Sequence, residues 1–191
     1  MKYQENYSFV NLSSLKIDEK ALYYCELKNQ DDLLEILDFA TQKNLPIFFI
    51  GEGTNIVPTK SFDGVVIKNL LKGITIIDEK TTEVASGENW NEFVSWSLSK
   101  NKFGLENLGL IPGTVGAAPV QNIGAYGSEV SNYIKEIKTF NALTRKIEII
   151  QAKDCNFDYR TSIFKYRKEL LILSVTFLTK TKPSINIIYQ Y

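Results

Sequence analysis

Histidine is missing altogether from these 191 residues. No imidazole is on hand for a Ser-His-Asp triad, an HExxH metal site or a general base, so any chemistry here needs other side chains or a cofactor. Cysteine is nearly as scarce. Cys25 and Cys155 stand apart with no CxxC spacing, a pattern that favours buried reduced thiols over a disulfide or a zinc site. Net charge is lacking too: Lys+Arg and Asp+Glu number 22 each, leaving no field to draw in nucleic acid or an anionic membrane. The longest apolar runs, 45–50 and 170–175, are far too short to span a bilayer, and MKYQENYSFVNL at the start has no apolar core of a signal peptide. The expectation is a cytoplasmic protein without a nucleic-acid or membrane partner. Nothing is repeated or low-complexity, and 44% apolar with 23% charged residues is ordinary globular composition.

What the chain does have is glycine in one place. The stretch 108–127, LGLIPGTVGAAPVQNIGAYG, holds five of the eleven glycines and no charged residue. Gly109, Gly113, Gly116, Gly124 and Gly127 permit backbone angles that other residues avoid, and they let a second molecule approach the main chain. Pro112-Gly113 fits a type II turn. Leu108, Ile111, Val115, Val120, Ile123 and Tyr126 carry too much apolar surface for a disordered segment. Such a stretch reads as a set of backbone N–H groups turned toward a nucleotide-type ligand.

Earlier in the chain, 1–22 predicts a short strand and an irregular entry, and 21–27 a loosely alternating strand. A helix follows, started by Asn29 or Gln30, with Leu33, Ile36, Leu37 and Ala40 on one face and Asn44 and Pro46 as its stop. Residues 46–50 form a continuous apolar strand of the kind covered on both faces. It runs into Gly51-Glu52-Gly53-Thr54-Asn55, a turn whose amides and side chains suit an anion; the alternative is a plain tight turn. Neither a Rossmann fingerprint nor a Walker A sequence is present. Short strands are expected at 64–67, 74–78 and 83–86. Asn89 with Glu92 makes a capping box for a second helix whose face is Trp90, Phe93, Val94 and Leu98. A hairpin over Ile134–Asn141 and 147–151, turning at 144–146, and a last strand over 170–180 complete the pattern. Many short strands, two helices and no regular βαβ alternation predict an α+β layout. A small helix-bearing lobe covers 1–69, a larger strand-rich lobe covers 70–182, and 183–191 begins a further region. A cleft between lobes is the expected seat of a large cofactor.

After the hairpin comes CNFDYRTSIFK, 155–165. Arg160, flanked by Tyr159, Thr161 and Ser162, can clamp a carboxylate and stabilise negative charge developing on it. The plainer alternative is an ion pair with Asp158 or Glu169, with Tyr159 packing and Lys165 and Lys168 simply solvated.

Together, GEGTN at 51–55, GLIPGTVGAAPVQNIGAYG at 109–127 and YRTSIFK at 159–165 resemble the UDP-N-acetylenolpyruvoylglucosamine reductases, flavoenzymes of peptidoglycan precursor synthesis, in their QNIGAYG subgroup. SGENW at 86–90 and GLENL at 104–108 fit the same pattern, and the resemblance runs from about Ser14 to Lys180. It implies a two-lobed FAD-binding module of the PCMH (vanillyl-alcohol-oxidase) type with noncovalent FAD. The cofactor's pyrophosphate would lie against Gly51, Glu52, Gly53, Thr54 and Asn55 and against Ile111, Pro112, Gly113, Thr114, Val115 and Gly116. Gln121, Asn122, Gly124, Ala125, Tyr126 and Gly127 would sit near the flavin. The resemblance further implies NADPH as reductant, hydride delivery to an enolpyruvyl double bond of a UDP-sugar, and Arg160 stabilising the enolate-like intermediate. Tyr159 and Tyr189 fall on the substrate side. The family's substrate-binding domain, with its serine proton donor and late glutamate, has no counterpart in this chain. Two readings stay open: the reductase itself, or an FAD-binding module without turnover of its own. The family implies a monomer, and a face left bare over 170–191 would promote self-association.

Overall fold

A computed structural model describes residues 1–183. The chain divides into two compact units, Met1–Leu71 and Lys72–Tyr191. Tyr189 lies outside the described residues.

The first unit contains β1 (Gln4–Ser8), β2 (Lys20–Leu27), α1 (Asp32–Gln42), β3 (Ile47–Ile50) and β4 (Phe62–Asn69). Its sheet has the order β1-β2-β4-β3, with β4 parallel to both β2 and β3. This is a split β-α-β crossover: α1 links two parallel strands, and β4 is inserted between them. One such unit, hidden in the sequence by the insertion, sits within the expected α+β layout without regular alternation. The face of α1 formed by Leu33, Ile36, Leu37 and Ala40 is buried as its 3–4 spacing requires. Asn29 and Gln30 open the helix through their carbonyls, which accept from the amides of Asp32 and Leu33; Asp31 is the cap residue. The helix closes in a Schellman motif. Asn44 sits at φ 52°, its amide donates to Thr41 O, and the Leu45 amide reaches back to Ala40 O. The strand β3 is a sheet edge, and only Ile50 in it is buried, while Phe48 is 37% exposed. The expectation of a strand covered on both faces fails, because an unbroken apolar string does not distinguish a central strand from an edge.

In the second unit, β5 (Ile74–Ile76), β6 (Thr81–Ala85), β9 (Ile134–Asn141), β10 (Lys146–Gln151) and β11 (Leu170–Leu178) form an antiparallel sheet of order β10-β9-β11-β6-β5. The helix α2 (Trp90–Ser99) precedes the glycine-rich segment, where β7 (Gly124–Ala125) and β8 (Ser128–Glu129) make a small hairpin. Val84, Trp90, Phe93, Ile137, Val175 and Phe177 are core residues at 1% exposure or less. The cap of α2 is the one the sequence predicts, Asn89 Oδ1 accepting from Glu92 N at 3.0 Å. Leu98, expected on the buried face, is instead 36% exposed, and Ser97 is buried in its place. The reason is the C-terminal turn, a second Schellman motif: Asn101 sits at φ 55°, and the Lys102 amide donates to Ser97 O. The buried Lys102 then gives its ammonium to Asp78 O and Glu79 O at 2.9 and 2.8 Å, tying this end to the β5–β6 turn. Leu170 through Phe177 are buried, so the bare apolar face expected over the last strand is not found among its described residues.

Candidate functional site

The glycine-rich segment of the second unit is pinned at its entry. Trp90, 1% exposed, donates its indole N–H to Leu108 O at 2.7 Å. Beyond it, 113–116 lies antiparallel to 86–90: Trp90 N donates to Gly113 O, Val115 N to Glu88 O and Gly116 N to Ser86 O, at 3.0, 2.9 and 2.8 Å. A Cβ on Gly116 would stand 2.5 Å from Ser86 Cβ. One expectation changes here. The amides of Val115 and Gly116 hold the loop to its own chain instead of being presented as anion donors, and glycine at 116 permits an internal close approach to Ser86. Pro112-Gly113 forms a bend, with Gly113 at φ 131°, well beyond the type II value. Gly113, Thr114, Val115 and Gly116 are buried, Ile111 is half-buried against the core, and Pro112 is exposed.

Next comes a hub. Asn122, 1% exposed and at φ 44°, accepts from Ser131 N at 3.1 Å through Oδ1. Its Nδ2 donates to Glu129 Oε2 at 2.8 Å and to Asp158 O at 3.1 Å. All of its polar capacity that points inward is engaged, so Asn122 acts as a joint between three segments. Gln121 beside it is half-buried. The β7–β8 hairpin closes over Tyr126 and Gly127, both at positive φ (53° and 72°), as a type I′ turn demands. At Gly124 a Cβ would crowd Ser128 O at 2.9 Å and approach Arg160 Nη1 at 3.5 Å.

Asp158 and Thr161 pair through both amides, leaving Tyr159 and Arg160 as the tip of a tight turn with Arg160 at φ 54°. The Arg160 guanidinium donates to Gly124 O at 2.5 Å and lies 5.7 Å from the Tyr159 ring centroid. The alternative ion pairs do not form: Glu169 pairs with Arg167 at 2.9 Å, and its carboxyl is held below the usual range by its own backbone amide and by Arg167. The second and third motifs of the sequence thus meet, Arg160 on Gly124 and Ser162 on Val120. Ser162 secures the base of this turn, donating to Val120 O at 2.9 Å and accepting from Phe164 N at 3.3 Å. Lys165 is exposed, as expected of a solvated lysine, and donates to Arg160 O at 2.6 Å.

In the first unit, Gly53 at φ 68° packs on its own chain, where a Cβ would lie 1.8 Å from Leu12 O; its carbonyl accepts from Ser14 N. Gly51 O accepts the Lys68 ammonium at 2.7 Å. Burial pushes the Lys68 pKa down against the pull of Glu52 and Glu26. Glu52 and Thr54 are half-buried and Asn55 is exposed. Sequence reasoning missed Lys68 because it lies a strand away, and only the pairing of β3 with β4 brings it under the loop.

Exposed side chains at left-handed backbone positions mark the second-unit site more sharply than its glycines do. Leu110 (φ 62°), Tyr126 and Arg160 are all non-glycine, and Leu110, Tyr126 and Tyr159 are 85%, 58% and 77% exposed. Beside them Thr161 Oγ1 is buried with no hydrogen-bond partner among the described residues. A cation flanked by open aromatic surface and an unsatisfied hydroxyl can meet an anionic group beside a flat ring system.

A family model described as FAD binding domain matches residues 21–147. The UDP-N-acetylenolpyruvoylglucosamine reductase of Flavobacterium johnsoniae is 39% identical over 99% of this chain and 58% of its own length. That of Paraburkholderia phymatum is 42% identical over 84% of this chain and 48% of its own. The chain therefore spans roughly half of such relatives. Among solved structures, the UDP-N-acetylenolpyruvylglucosamine reductase of Thermus caldophilus superposes with a TM-score of 0.76 at 19% identity, covering 95% of this chain and 63% of that one. A cholesterol oxidase variant from Brevibacterium sterolicum superposes at 0.66, also at 19% identity, covering 93% of this chain and 37% of that one. These two share the fold alone. No helix among the described residues is long and apolar enough to cross a membrane. The fold is the α+β, PCMH-type FAD-binding fold, and the chain belongs to the FAD binding domain family.

Proposed function

We propose that this chain is the flavin-holding part of a reductase that converts UDP-N-acetylenolpyruvoylglucosamine to UDP-N-acetylmuramate in the cytoplasm, with NADPH as reductant. When bound, FAD would supply the hydride chemistry that no amino-acid side chain supplies. For the first unit we assign the 51–55 loop, backed by the Lys68 ammonium, to phosphate contact. In the second unit the 111–116 loop shapes the wall of the cofactor site, and Gln121 and the 124–127 hairpin border the flavin. Arg160 is the catalytic residue. Its guanidinium meets the substrate carboxylate and balances negative charge as the double bond is reduced, a contact whose loss costs about 3 kcal/mol or more of transition-state stabilisation. Tyr159, open beside it, lies on the substrate side.

The observation that carries this reading is the seating of Arg160 at a left-handed turn on Gly124 O, inside the segment that the sequence singles out. Because the chain spans about half of its curated relatives, turnover is proposed for the whole reductase, and for residues 1–191 the proposal is flavin binding with reduction by NADPH. The test is direct. Purified chain incubated with FAD and desalted should retain visible flavin absorption that NADPH bleaches. Arg160→Ala should keep the flavin and, in a full-length reductase, slow substrate reduction by about a hundredfold or more. A colourless chain, or equal flavin loss from Arg160→Ala, would overturn the assignment.

A further inference from the structure

Arg160 does not occupy its turn by preference. A non-glycine residue at φ 54° is strained, and such a conformation persists only where the surroundings over-determine it. Two carbonyls bracket the Tyr159–Arg160 tip, and each is held by a side-chain donor. Asn122 Nδ2 holds Asp158 O at 3.1 Å, and Lys165 Nζ holds Arg160 O at 2.6 Å. Lysine–carbonyl contacts on a surface usually contribute little. This one differs because its base is fixed. Lys165 closes a short 3-10 turn, Ile163–Lys165, capped by the buried Ser162, whose hydroxyl is itself bound to Val120 O. The exposed ammonium therefore reaches the strained residue's carbonyl from an anchored turn, opposite the buried Asn122.

From this geometry we propose that Lys165 is a positioning residue for Arg160: with Asn122 it clamps the turn so that the guanidinium stays on Gly124 O, ready for an anionic substrate group. This deepens, and rests on, the role given above to Arg160. Lys165 itself touches no reacting atom; it acts through the backbone of Arg160.

The chain has three arginines, Arg145, Arg160 and Arg167, so arginine-selective nitrogen-15 labelling gives a sparse side-chain spectrum. Arg160→Lys assigns the relevant signal. In the unaltered chain the Arg160 guanidinium should show slowed rotation and slowed exchange with solvent, unlike a free arginine. Lys165→Met should collapse that signature to the free-arginine form while flavin content and melting temperature hold. Lys165→Arg, which restores a cationic donor, should keep it. Lys165→Gln serves as a second neutral variant, expected to behave as Lys165→Met does. An Arg160 signal unchanged in both neutral variants overturns the proposal. So does a collapse that Lys165→Arg fails to prevent. The Arg160–Gly124 contact is made within the chain, so this readout needs no turnover. Failure of the unaltered chain to bind FAD would count against the flavin assignment alone.

Discussion

At the scale of single residues, strain separates side chains kept for the fold from side chains kept for something else. Leu110, Asn122, Tyr126 and Arg160 all hold left-handed backbone angles. For a residue with a Cβ this costs about 1–2 kcal/mol, although asparagine bears it more easily. Asn122 offsets the cost with its buried bonds, but Leu110 is 85% exposed and recovers almost nothing by packing. Leu110→Gly should therefore raise stability by about 1 kcal/mol, seen as a higher melting temperature of the flavin-free chain; an unchanged or lower value would show that the leucine is held by contacts. Glycine at 116 is the converse case. Any Cβ there meets Ser86 Cβ at 2.5 Å and Ser86 O at 3.0 Å, and that carbonyl already accepts the Gly116 amide. Gly116→Val should lower stability by about 1–3 kcal/mol whether or not FAD is present. Loss of flavin with an unaltered melting temperature would instead return Gly116 to the role of a ligand contact.

At the scale of elements, what the sequence made legible was local, and what it concealed was pairing. Each helix was legible through one signal, α1 through its period, with Leu33, Ile36, Leu37 and Ala40 on one face, and α2 through its cap, with Asn89 three residues before Glu92. Asn89→Ala should cost about 1 kcal/mol, measured as a shift of the denaturation midpoint, with Asn89→Ser largely restoring it. A silent alanine variant would mean that the cap is replaced by water at no cost. The Asn44 and Asn101 stops were half-legible, since asparagine is a known helix terminator but only backbone geometry reveals the paired Schellman bonds. The place of β3 at an edge was hidden, because β4 reaches its neighbour from beyond a loop. The glycines of the two loops have an internal role that the sequence did not show. Gly53, Gly116 and Gly124 let the chain approach itself, and the open surface belongs to Leu110, Tyr126 and Tyr159. Lys165 is exposed as expected, but its contact with Arg160 O was hidden because a main-chain acceptor has no signature in sequence.

At the scale of the whole molecule, each unit carries one buried thiol, Cys25 in the first and Cys155 in the second. Burial pushes both up to about 12 from an ordinary value of 9.0, and it pushes the Tyr3 phenol up to about 12 as well. A raised folded-state value means that the unfolded chain loses its proton first. Stability from these groups is therefore fully present below about pH 9 and declines as pH rises toward about 12, because in that window the unfolded state binds fewer protons. Both thiols should resist alkylating reagents in the native protein at neutral pH and react once their own unit opens. Leu33→Ala should bring Cys25 labelling to lower denaturant by about 2–5 kcal/mol of lost core packing, and Phe177→Ala should do the same for Cys155. Urea midpoints compared at about pH 8 and about pH 10.5 should fall at the higher pH, and they should fall less in a Cys25→Ala, Cys155→Ala chain. The comparison uses the change between the two pH values, so the packing lost to alanine cancels. An identical alkaline loss in both chains would show that the thiols contribute nothing to it.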